Sequence, residues 1–414
     1  MTPDIHDERF LSRLEQLGGV GRLAGPGGGV TRLAWTAELQ QAVELVAGWG
    51  SRAGASTRLD GAGNLILEMA GPRSAGSPLV TGSHLDTVVG AGHLDGAYGV
   101  VAGVEVLTAL SEAGYRPRHP MRVVAYANEE GVVAPPFTGS RAIVGRFDDV
   151  ELAWGGPDGI TLAERLGRAG CPPGGPGSAS WTTGVAATVE LHVEQGPVLD
   201  RAGTAIGVVT AITGQRRGRI IISGTANHAG TTPMTARNDA LVAAAHLVLA
   251  VEGLASAGRA EVATVGRLEV EPDVANVVPG KVTMTFDVRA VDESRLSAAV
   301  AELGERAADV ANLTGTSISM SELPPTRAVE TDHRIQKLIA GVADELGLAS
   351  MEMASGAGHD CAHLADLGPV AMIFVPSRGG ISHNAAESTD SRDLLAGSRV
   401  LLQTLLRLDE ELDA

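Results

Sequence analysis

The stretch Thr81-Gly-Ser-His-Leu-Asp-Thr-Val-Val-Gly-Ala-Gly-His-Leu-Asp-Gly-Ala-Tyr-Gly-Val100 decides how we expect the chain to fold. Leu79 and Val80, just before it, are typical of a buried strand, and the apolar residues from Val100 to Leu110 recur close to helical spacing. The glycine-rich loop between them carries two histidines and two aspartates. α/β folds place their chemistry in such a loop, where a strand ends before a helix. The stretch therefore predicts a metal site at the end of a strand.

The next segment follows the same plan. Met121-Arg-Val-Val-Ala-Tyr-Ala127 is predicted to be a strand, and it leads directly into Asn128-Glu-Glu-Gly131. Strand, helix and strand then form a βαβ unit with a site at the carboxyl ends of its strands. Another strand, Val189–Val193, is followed by Glu194 and Gln195, and Val370–Val375 is predicted to be a buried strand. We therefore expect an α/β fold with polar residues along one edge of its sheet.

Length and composition limit the classes of protein. A chain of 414 residues is longer than one hydrophobic core usually holds, so two domains are expected. The formal charge of −17 argues against nucleic acid or an anionic membrane as a partner, and no apolar run is long enough to span a bilayer. Cys171 and Cys361 cannot form a disulfide framework, which favours a reducing cytoplasm.

The middle of the chain has a different pattern. After Gly214-Gln-Arg-Arg217, the order strand, helix, strand, strand, helix fits a small α+β sandwich inserted into the first domain. We therefore predict a catalytic domain from residues 1–213 and 328–414, and an inserted dimerisation or lid domain from residues 214–327.

The loops at the predicted strand ends supply seven residues of metal-ligand type. They are His84, Asp86, Asp95, Glu129, Glu130, His192 and His383. Any one histidine is more often an ordinary loop or core residue, and adjacent glutamates usually form a solvated face. Consecutive strands, however, repeatedly supply such residues. Two divalent ions roughly 3.5–4 Å apart need about this set, with one carboxylate bridging them.

Six segments make the sequence similar to a known family. They are Gly82-Ser-His-Leu-Asp-Thr87, Asp95-Gly-Ala-Tyr-Gly-Val100, Asn128-Glu-Glu-Gly131, His192-Val-Glu-Gln-Gly-Pro197, Asn227-His-Ala-Gly-Thr-Thr-Pro-Met234 and Ile381-Ser-His-Asn384. With them the chain resembles the hydantoinase/carbamoylase branch of the dinuclear metallo-exopeptidase superfamily. This branch contains N-carbamoyl-L-amino-acid hydrolases, β-ureidopropionases and allantoate amidohydrolases. The resemblance implies a zinc-exopeptidase-like fold, a central mixed sheet with helices on both faces plus the small inserted domain.

The resemblance also implies the metal ligands. Asp95 would bridge two divalent ions, with His84 and His192 on one ion and Glu130 and His383 on the other. Nitrogen and oxygen ligands without a thiolate suit zinc, manganese, cobalt or nickel alike.

The catalytic groups follow from the same resemblance. Glu129 would be the general base beside the attacking water. Asp86 would hydrogen-bond the far nitrogen of His84 and fix its tautomer. Asp360 and Glu387 are expected to support the ligands.

The substrate contacts are also implied by the resemblance. They are Gln195, His228, Asn276, Arg289, Gly356 and Ala357, with His228 also stabilising the developing oxyanion. From composition alone, Arg289 is expected to pair with Asp287, whereas the resemblance makes it a bidentate clamp for a substrate carboxylate. In relatives the insert dimerises and lends residues to the neighbouring site, which implies a homodimer.

The expected reaction is hydrolysis of the carbamoyl C–N bond of an N-carbamoyl-L-amino acid. Allantoate amidohydrolase activity is the nearest alternative, and N-acyl amino acid or dipeptide hydrolysis is more distant. A binding protein on the same scaffold is the non-enzymatic alternative. Val132–Phe137, Tyr98 and Gly379-Gly380 depart from the family pattern, and we expect them to border the substrate cleft.

Overall fold

The computed structural model describes residues 2–25, 27–71 and 76–412. The first and last residues of the predicted domain ranges, Met1 and Ala414, lie outside this part. The chain divides into two compact units. The first contains residues up to Thr210, Thr331–Met353 and those from His359 onward, and the second contains Ala211–Glu330 and Ala354–Gly358.

The elements are numbered along the chain. The strands are β1 (Ser56–Leu59), β2 (Leu65–Met69), β3 (Leu79–His84), β4 (Met121–Tyr126), β5 (Ala187–Val193), β6 (Ile206–Ile212), β7 (Gly214–Ser223), β8 (Asn227–His228), β9 (Val262–Thr264), β10 (Leu268–Glu271), β11 (Val277–Val278), β12 (Lys281–Ala290), β13 (Ser317–Glu322), β14 (Val329–Glu330), β15 (Ser350–Ser355) and β16 (Val370–Val375). The α-helices are α1 (Asp7–Gly19), α2 (Ala37–Arg52), α3 (Ala97–Ala113), α4 (Thr138–Ile143), α5 (Leu162–Arg168), α6 (Val198–Ala202), α7 (Ala240–Ser256), α8 (Glu293–Thr314), α9 (His333–Glu345), α10 (Asp360–Leu364) and α11 (Ser391–Glu411).

The sheet of the first unit is mixed, as the fold class predicted. Its strands follow the order β1-β2-β4-β3-β5-β16-β6. The four central strands β4, β3, β5 and β16 are parallel, and the flanking pairs β1–β2, β2–β4 and β16–β6 are antiparallel. Every residue of β3, β5 and β16 is buried, which requires cover on both faces of the sheet.

The helix that follows β3 lies inside the first unit. In α3, every residue from Ala97 to Leu110 is buried, so its apolar side chains are not confined to one stripe. The helix before it, α2, has Thr36 as its N-cap, whose hydroxyl accepts a hydrogen bond from the Leu39 N–H. Within the described ranges, no helix is both long and apolar enough to cross a membrane.

The second unit is an antiparallel sheet with two long helices. Its strands follow the order β10-β12-β7-β13, with β9 also beside β12. In β12, alternate side chains are buried, so Met284 and Phe286 join the core with Leu247 of α7 and Leu303 of α8. The predicted order lacked β13, whose apolar Ile318 and Met320 are only partly buried.

A short distant segment also belongs to the second unit. Ala354–Gly358 lies outside the range 214–327 that the sequence predicted for this domain. The Thr213 N–H donates to the Ser355 carbonyl at 3.0 Å, and Arg289 Nη1 donates to the Gly356 carbonyl at 2.8 Å. These hydrogen bonds to backbone carbonyls join residues far apart in the sequence, so a local sequence pattern does not predict them.

Candidate metal centre

The candidate ligands gather where the four parallel strands of the first unit end. In the register of the sheet, His84 at the end of β3 is opposite Tyr126 of β4, and His192 of β5 is opposite Phe374 of β16. The loops after these strands therefore start at the same edge. The structure brings together all seven predicted residues of ligand type at this edge.

Asp95 lies at the centre of the first group. Its buried carboxylate has Oδ1 at 3.5 Å from His84 Nε2 and at 3.2 Å from His192 Nε2. The loop can come this close because Gly96 has a positive φ of 64° and no side chain. A Cβ there would lie 2.5 Å from the His84 ring. His84, Asp95 and His192 thus form one buried group of three potential ligands.

The far nitrogens of both histidines are held by backbone carbonyls. His84 Nδ1 lies 2.9 Å from the Asp86 carbonyl oxygen, and His192 Nδ1 lies 2.8 Å from that of Val193. A carbonyl oxygen only accepts, so each Nδ1 carries a proton and each neutral ring presents the lone pair of Nε2. In addition, the Gly96 N–H donates to His192 Nε2 at 3.1 Å. Both Nε2 atoms therefore face Asp95 as acceptors.

A second group shares Asp95. Its Oδ2 lies 3.2 Å from His383 Nε2, which is in turn 3.4 Å from Glu130 Oε2. Asp95, Glu130 and His383 form a potential ligand group of their own, in which His383 is half exposed. One carboxylate thus faces two ligand groups, one through each oxygen.

The carboxylates of the cluster lie close together in a buried site. Burial raises the pKa of Glu130 to about 7, and the nearby Asp95 acts in the same direction. Burial likewise raises the pKa of Glu129 well above its usual value, and Glu130 adds to the effect. Asp95 Oδ1 and Glu130 Oε1 are buried and have no hydrogen-bond partner among the residues that the structure describes. Lone pairs that converge without donors fit a metal ion, so the donor set fits the divalent cations expected here.

Asp86 contacts the far nitrogen of His84, as predicted, and does so through its backbone. The contact to His84 Nδ1 comes from the backbone carbonyl of Asp86 and not from its carboxylate. The carboxylate accepts hydrogen bonds from the N–H groups of Glu129, at 3.3 Å, and Glu130, at 3.2 Å. The backbone makes this contact because the turn after His84 brings the Asp86 carbonyl, two residues on, back to the ring. Asp86 therefore orients the two glutamates through their backbone.

The Glu129 carboxylate lies next to the candidate metal ligands. Its Oε2 lies 3.7 Å from His84 Nε2, and its side chain is 11% exposed. The preceding residue, Asn128, has a positive φ of 56° and is held by its amide, which donates to the Pro135 carbonyl at 2.8 Å and to Thr138 Oγ1 at 3.0 Å. Such a strained backbone persists only where its surroundings fix it. The Glu129 carboxylate is thus held in place next to the ligands.

Gln195 contacts the shared carboxylate directly. Its Nε2 donates to Asp95 Oδ2 at 2.8 Å, and Ser382 Oγ donates to the same oxygen at 3.1 Å. Gln195 has a positive φ of 60°, and its own N–H donates to Ser377 Oγ at 3.0 Å. These contacts place Gln195 at the cluster, where no described residue forms a hydrogen bond with its Oε1.

Two supporting carboxylates were expected, and the structure adds a third. Glu387 Oε2 accepts from the N–H groups of Leu94 and Asp95 at 2.9 and 3.2 Å, and Asp360 Oδ1 accepts from Ser140 Oγ at 2.6 Å. Glu190 was not among the predicted site residues. It is buried, accepts from Ser83 Oγ at 2.7 Å, and forms a further candidate ligand group with His192 and His359. A charged residue inside the apolar strand β5 was the signal that could have revealed it.

Arg289 is engaged by a carboxylate of its own strand. Its Nε and Nη2 donate to the two oxygens of Asp287 at 3.0 and 2.8 Å, as composition alone had suggested. Its Nη1 donates to the Gly356 carbonyl, beside Ala357, whose N–H donates to Ser355 Oγ. A guanidinium has five N–H donors, so three of them are used here. The two that remain are one on Nη1 and one on Nη2.

His228 and Asn276 are neighbours in the second unit. His228 pairs with Val277 in the short β8–β11 ladder, and the Ala229 N–H donates to the Asn276 carbonyl at 2.9 Å. His228 Nδ1 accepts from the N–H of Gly230 at 2.9 Å. This nitrogen is therefore unprotonated in the neutral ring, and the proton is on Nε2. His228 thus offers a donor from an exposed turn.

One of the residues expected to border the cleft is a core residue. Tyr98 is completely buried, donates from its hydroxyl to the Leu394 carbonyl at 2.8 Å and packs edge-on against Phe10. The expectation was wrong because Tyr98 lies on α3, which is buried on all sides. Gly380 packs against Pro197, where a Cβ would approach the Pro197 nitrogen to 2.7 Å.

The chain matches known proteins over nearly its whole length. Residues 80–407 match Peptidase family M20/M25/M40. An N-carbamoyl-L-amino acid amidohydrolase of Geobacillus stearothermophilus is 38% identical and covers 98% of this chain and 99% of its own length. An allantoate amidohydrolase of Bacillus subtilis is 36% identical over 92% of this chain and 93% of its own length.

A solved structure shows the same fold. It is an amidase of the hydantoinase/carbamoylase family from Burkholderia multivorans, with a TM-score of 0.89 and 34% identity over 99% of this chain and 100% of its own. These matches confirm the predicted fold class and, with the ligand groups, indicate a divalent metal site. The chain therefore belongs to Peptidase family M20/M25/M40 and, within it, to the hydantoinase/carbamoylase group of hydrolases that act on carbon–nitrogen bonds other than peptide bonds.

Proposed function

We propose that the chain is a dinuclear metal-dependent N-carbamoyl-L-amino-acid amidohydrolase. The observation that carries this proposal is the position of Asp95, whose two oxygens each face a separate group of candidate ligands. The names of two relatives, from Geobacillus stearothermophilus and Paenarthrobacter aurescens, support the substrate class. Water would cleave the carbamoyl group, and the products would be ammonia, carbon dioxide and an L-amino acid.

Two divalent ions would be held by this chain's own residues. His84 and His192 would hold one ion and Glu130 and His383 the other, with Asp95 between them. When bound, the ions would polarise the ureido carbonyl and make a nearby water more acidic. Zinc, manganese, cobalt and nickel all suit these ligands.

Glu129 would move the protons of the reaction. Its carboxylate would take a proton from the attacking water and pass it to the leaving nitrogen, so that the base ends the cycle as it began. Asp86 would hold the Glu129 backbone during both transfers, through the hydrogen bond described above.

Arg289 would bind the substrate carboxylate. The guanidinium would use its remaining donors on Nη1 and Nη2 to bind the two oxygens of the carboxylate. Asp287 would keep the guanidinium in orientation, because it already holds Nε and Nη2. Asn276, Gly356 and Ala357 would contribute further polar contacts to the same group.

His228 and Gln195 would contact the ureido group. The Nε2 proton of His228 suits an oxygen that gains negative charge during the attack. Gln195 would accept a hydrogen bond from a ureido N–H through its Oε1, which has no hydrogen-bond partner among the described residues.

We propose that the protein is a homodimer through the second unit. One face of α7 exposes Leu241, Val242, Ala245 and Leu249, which lie at helical spacing. Exposed apolar stripes of this kind mark interaction surfaces. A second copy would cover this stripe by two-fold symmetry.

Allantoate is the second candidate substrate. It is favoured by the 36% identical allantoate amidohydrolase of Bacillus subtilis. The test is ammonia release by the manganese- or zinc-loaded protein from N-carbamoyl-L-amino acids, their D-enantiomers and allantoate. We expect release from the N-carbamoyl-L-amino acids. Release from allantoate alone would replace the substrate assignment, and release of a carboxylic acid from N-acyl amino acids without ammonia would refute it.

A further inference from the structure

Arg32 is the largest side chain that the structure buries completely. Burying a charged group is costly unless it is paired, and its usual partner is a carboxylate. Within the described part of the chain, this guanidinium instead donates only to backbone carbonyls, and its Nη2 is buried without a partner. Nε donates to Leu85 at 2.9 Å, and Nη1 donates to Leu17 and Val20 at 3.0 Å each. The arginine therefore organises the backbone around it.

The backbone it holds is the turn that follows His84. Besides the Leu85 carbonyl, Arg32 is bound to Thr87 twice. The Arg32 N–H donates to Thr87 Oγ1 at 2.9 Å, and the Thr87 N–H donates to the Arg32 carbonyl at 3.0 Å. Three hydrogen bonds thus fix both ends of the three-residue turn 85–87. The residue between these ends is Asp86.

Asp86 transmits this constraint to the metal centre in two ways. Its carbonyl fixes the ring of His84, and its carboxylate holds the N–H groups of Glu129 and Glu130. Asp86 is also the nearby negative charge that stabilises the charged form of Arg32. Burial lowers the pKa of Arg32 to about 10, so the guanidinium remains charged at neutral pH.

We propose that Arg32 is a positioning residue of the metal centre, which acts through the 85–87 turn on His84, Glu129 and Glu130. The proposal rests on the metal site described under the proposed function and goes beyond it, since Arg32 lies outside the ligand set. A lysine at this position keeps the charge but has no planar fork to hold several carbonyls at once. The side chain binds the turn through Nε, which donates to the Leu85 carbonyl, while Nη1 anchors the guanidinium to Leu17 and Val20. The two hydrogen bonds to Thr87 come from the Arg32 backbone, so a substitution of the side chain removes only the bond to Leu85 and its anchor.

The test is a Mn²⁺ titration of the metal-free protein, with free Mn²⁺ followed by electron paramagnetic resonance. We compare Arg32→Met and Arg32→Lys with Arg13→Met. Arg13 is the matched control, because it is a buried arginine of the same unit that binds Glu105 at 2.7 Å and Thr108 at 3.0 Å. Residues that orient metal ligands typically change metal affinity about 10–100-fold when they are replaced. We therefore expect both Arg32 variants to raise the apparent Kd for Mn²⁺ by about tenfold or more.

The control separates positioning from loss of stability. Arg13→Met should lower the thermal midpoint and leave the Kd for Mn²⁺ at the wild-type value. A Kd of the Arg32 variants within about threefold of that of Arg13→Met would overturn the proposal, and any larger rise supports it. If Arg32→Met does not fold, Arg32→Lys decides by the same criterion. The titration needs no substrate, so it remains decisive even if the proposed reaction is wrong.

Discussion

Replacing Glu129 by glutamine isolates proton transfer from metal binding. The amide has nearly the same size but cannot accept a proton at neutral pH. The Glu129 side chain lies 3.7 Å from His84 Nε2, and neither ligand group around Asp95 includes it. We therefore expect the variant to fold and to bind metal as the wild type does. A missing general base typically lowers the rate about 10²–10⁴-fold, or about 2.7–5.5 kcal/mol in activation free energy.

The assay follows ammonia release and metal content on the same samples. Glu130→Gln is the matched control, because the adjacent residue belongs to the group of Asp95 and His383 and should lose metal as well as activity. Glu129 also belongs to a candidate ligand group with His84 and Glu130, so a ligand role is the specific rival. Glu129→Gln with more than a tenth of wild-type turnover would refute the base assignment. Metal loss equal to that of Glu130→Gln would make Glu129 a ligand.

Three further predictions concern the metal, the clamp and the interface. Removal of metal by a chelator should abolish turnover, and readdition should restore it. Bound metal should also stabilise the fold by about 2.7 kcal/mol per site when the free metal concentration is 100-fold above its Kd, which thermal melts would measure. Arg289→Lys should raise KM about 10–100-fold with little change in kcat, because a charge-assisted hydrogen bond contributes about 1.5–3 kcal/mol; steady-state kinetics check this, and an unchanged KM would exclude the clamp. Leu249 is 65% exposed on α7, and Leu249→Arg should disrupt the proposed dimer. Light scattering of this variant should then give the mass of a monomer. A wild-type protein that is already monomeric would exclude the interface.

The residues of the metal site could be predicted because they follow parallel strands of one sheet. Strands that run parallel end at one edge, so ligand-type residues after successive strands meet without any detailed geometry. His84, Asp95 and His192 come together for this reason. The burial pattern of β12 was predictable as well, since alternation in an antiparallel strand directly separates its two faces.

Contacts made by the backbone were not predictable. The role of the Asp86 carbonyl depends on the backbone conformation of one turn. The direction of a backbone carbonyl in a turn cannot be predicted from the residue types alone. The complete burial of Arg32 is equally hidden, because an arginine in a loop usually reaches solvent. Ala354–Gly358 joins the second unit through hydrogen bonds from Thr213 and Arg289, across long sequence separations.

The most direct test of the central claim is the anomalous diffraction of crystals of the manganese-loaded protein. We expect two peaks per chain, one next to His84 and His192 and the other next to Glu130 and His383, with the Asp95 carboxylate between them. The structure also offers a rival group, formed by Glu190, His192 and His359. A single peak, or a second peak at this rival group, would contradict the dinuclear site bridged by Asp95.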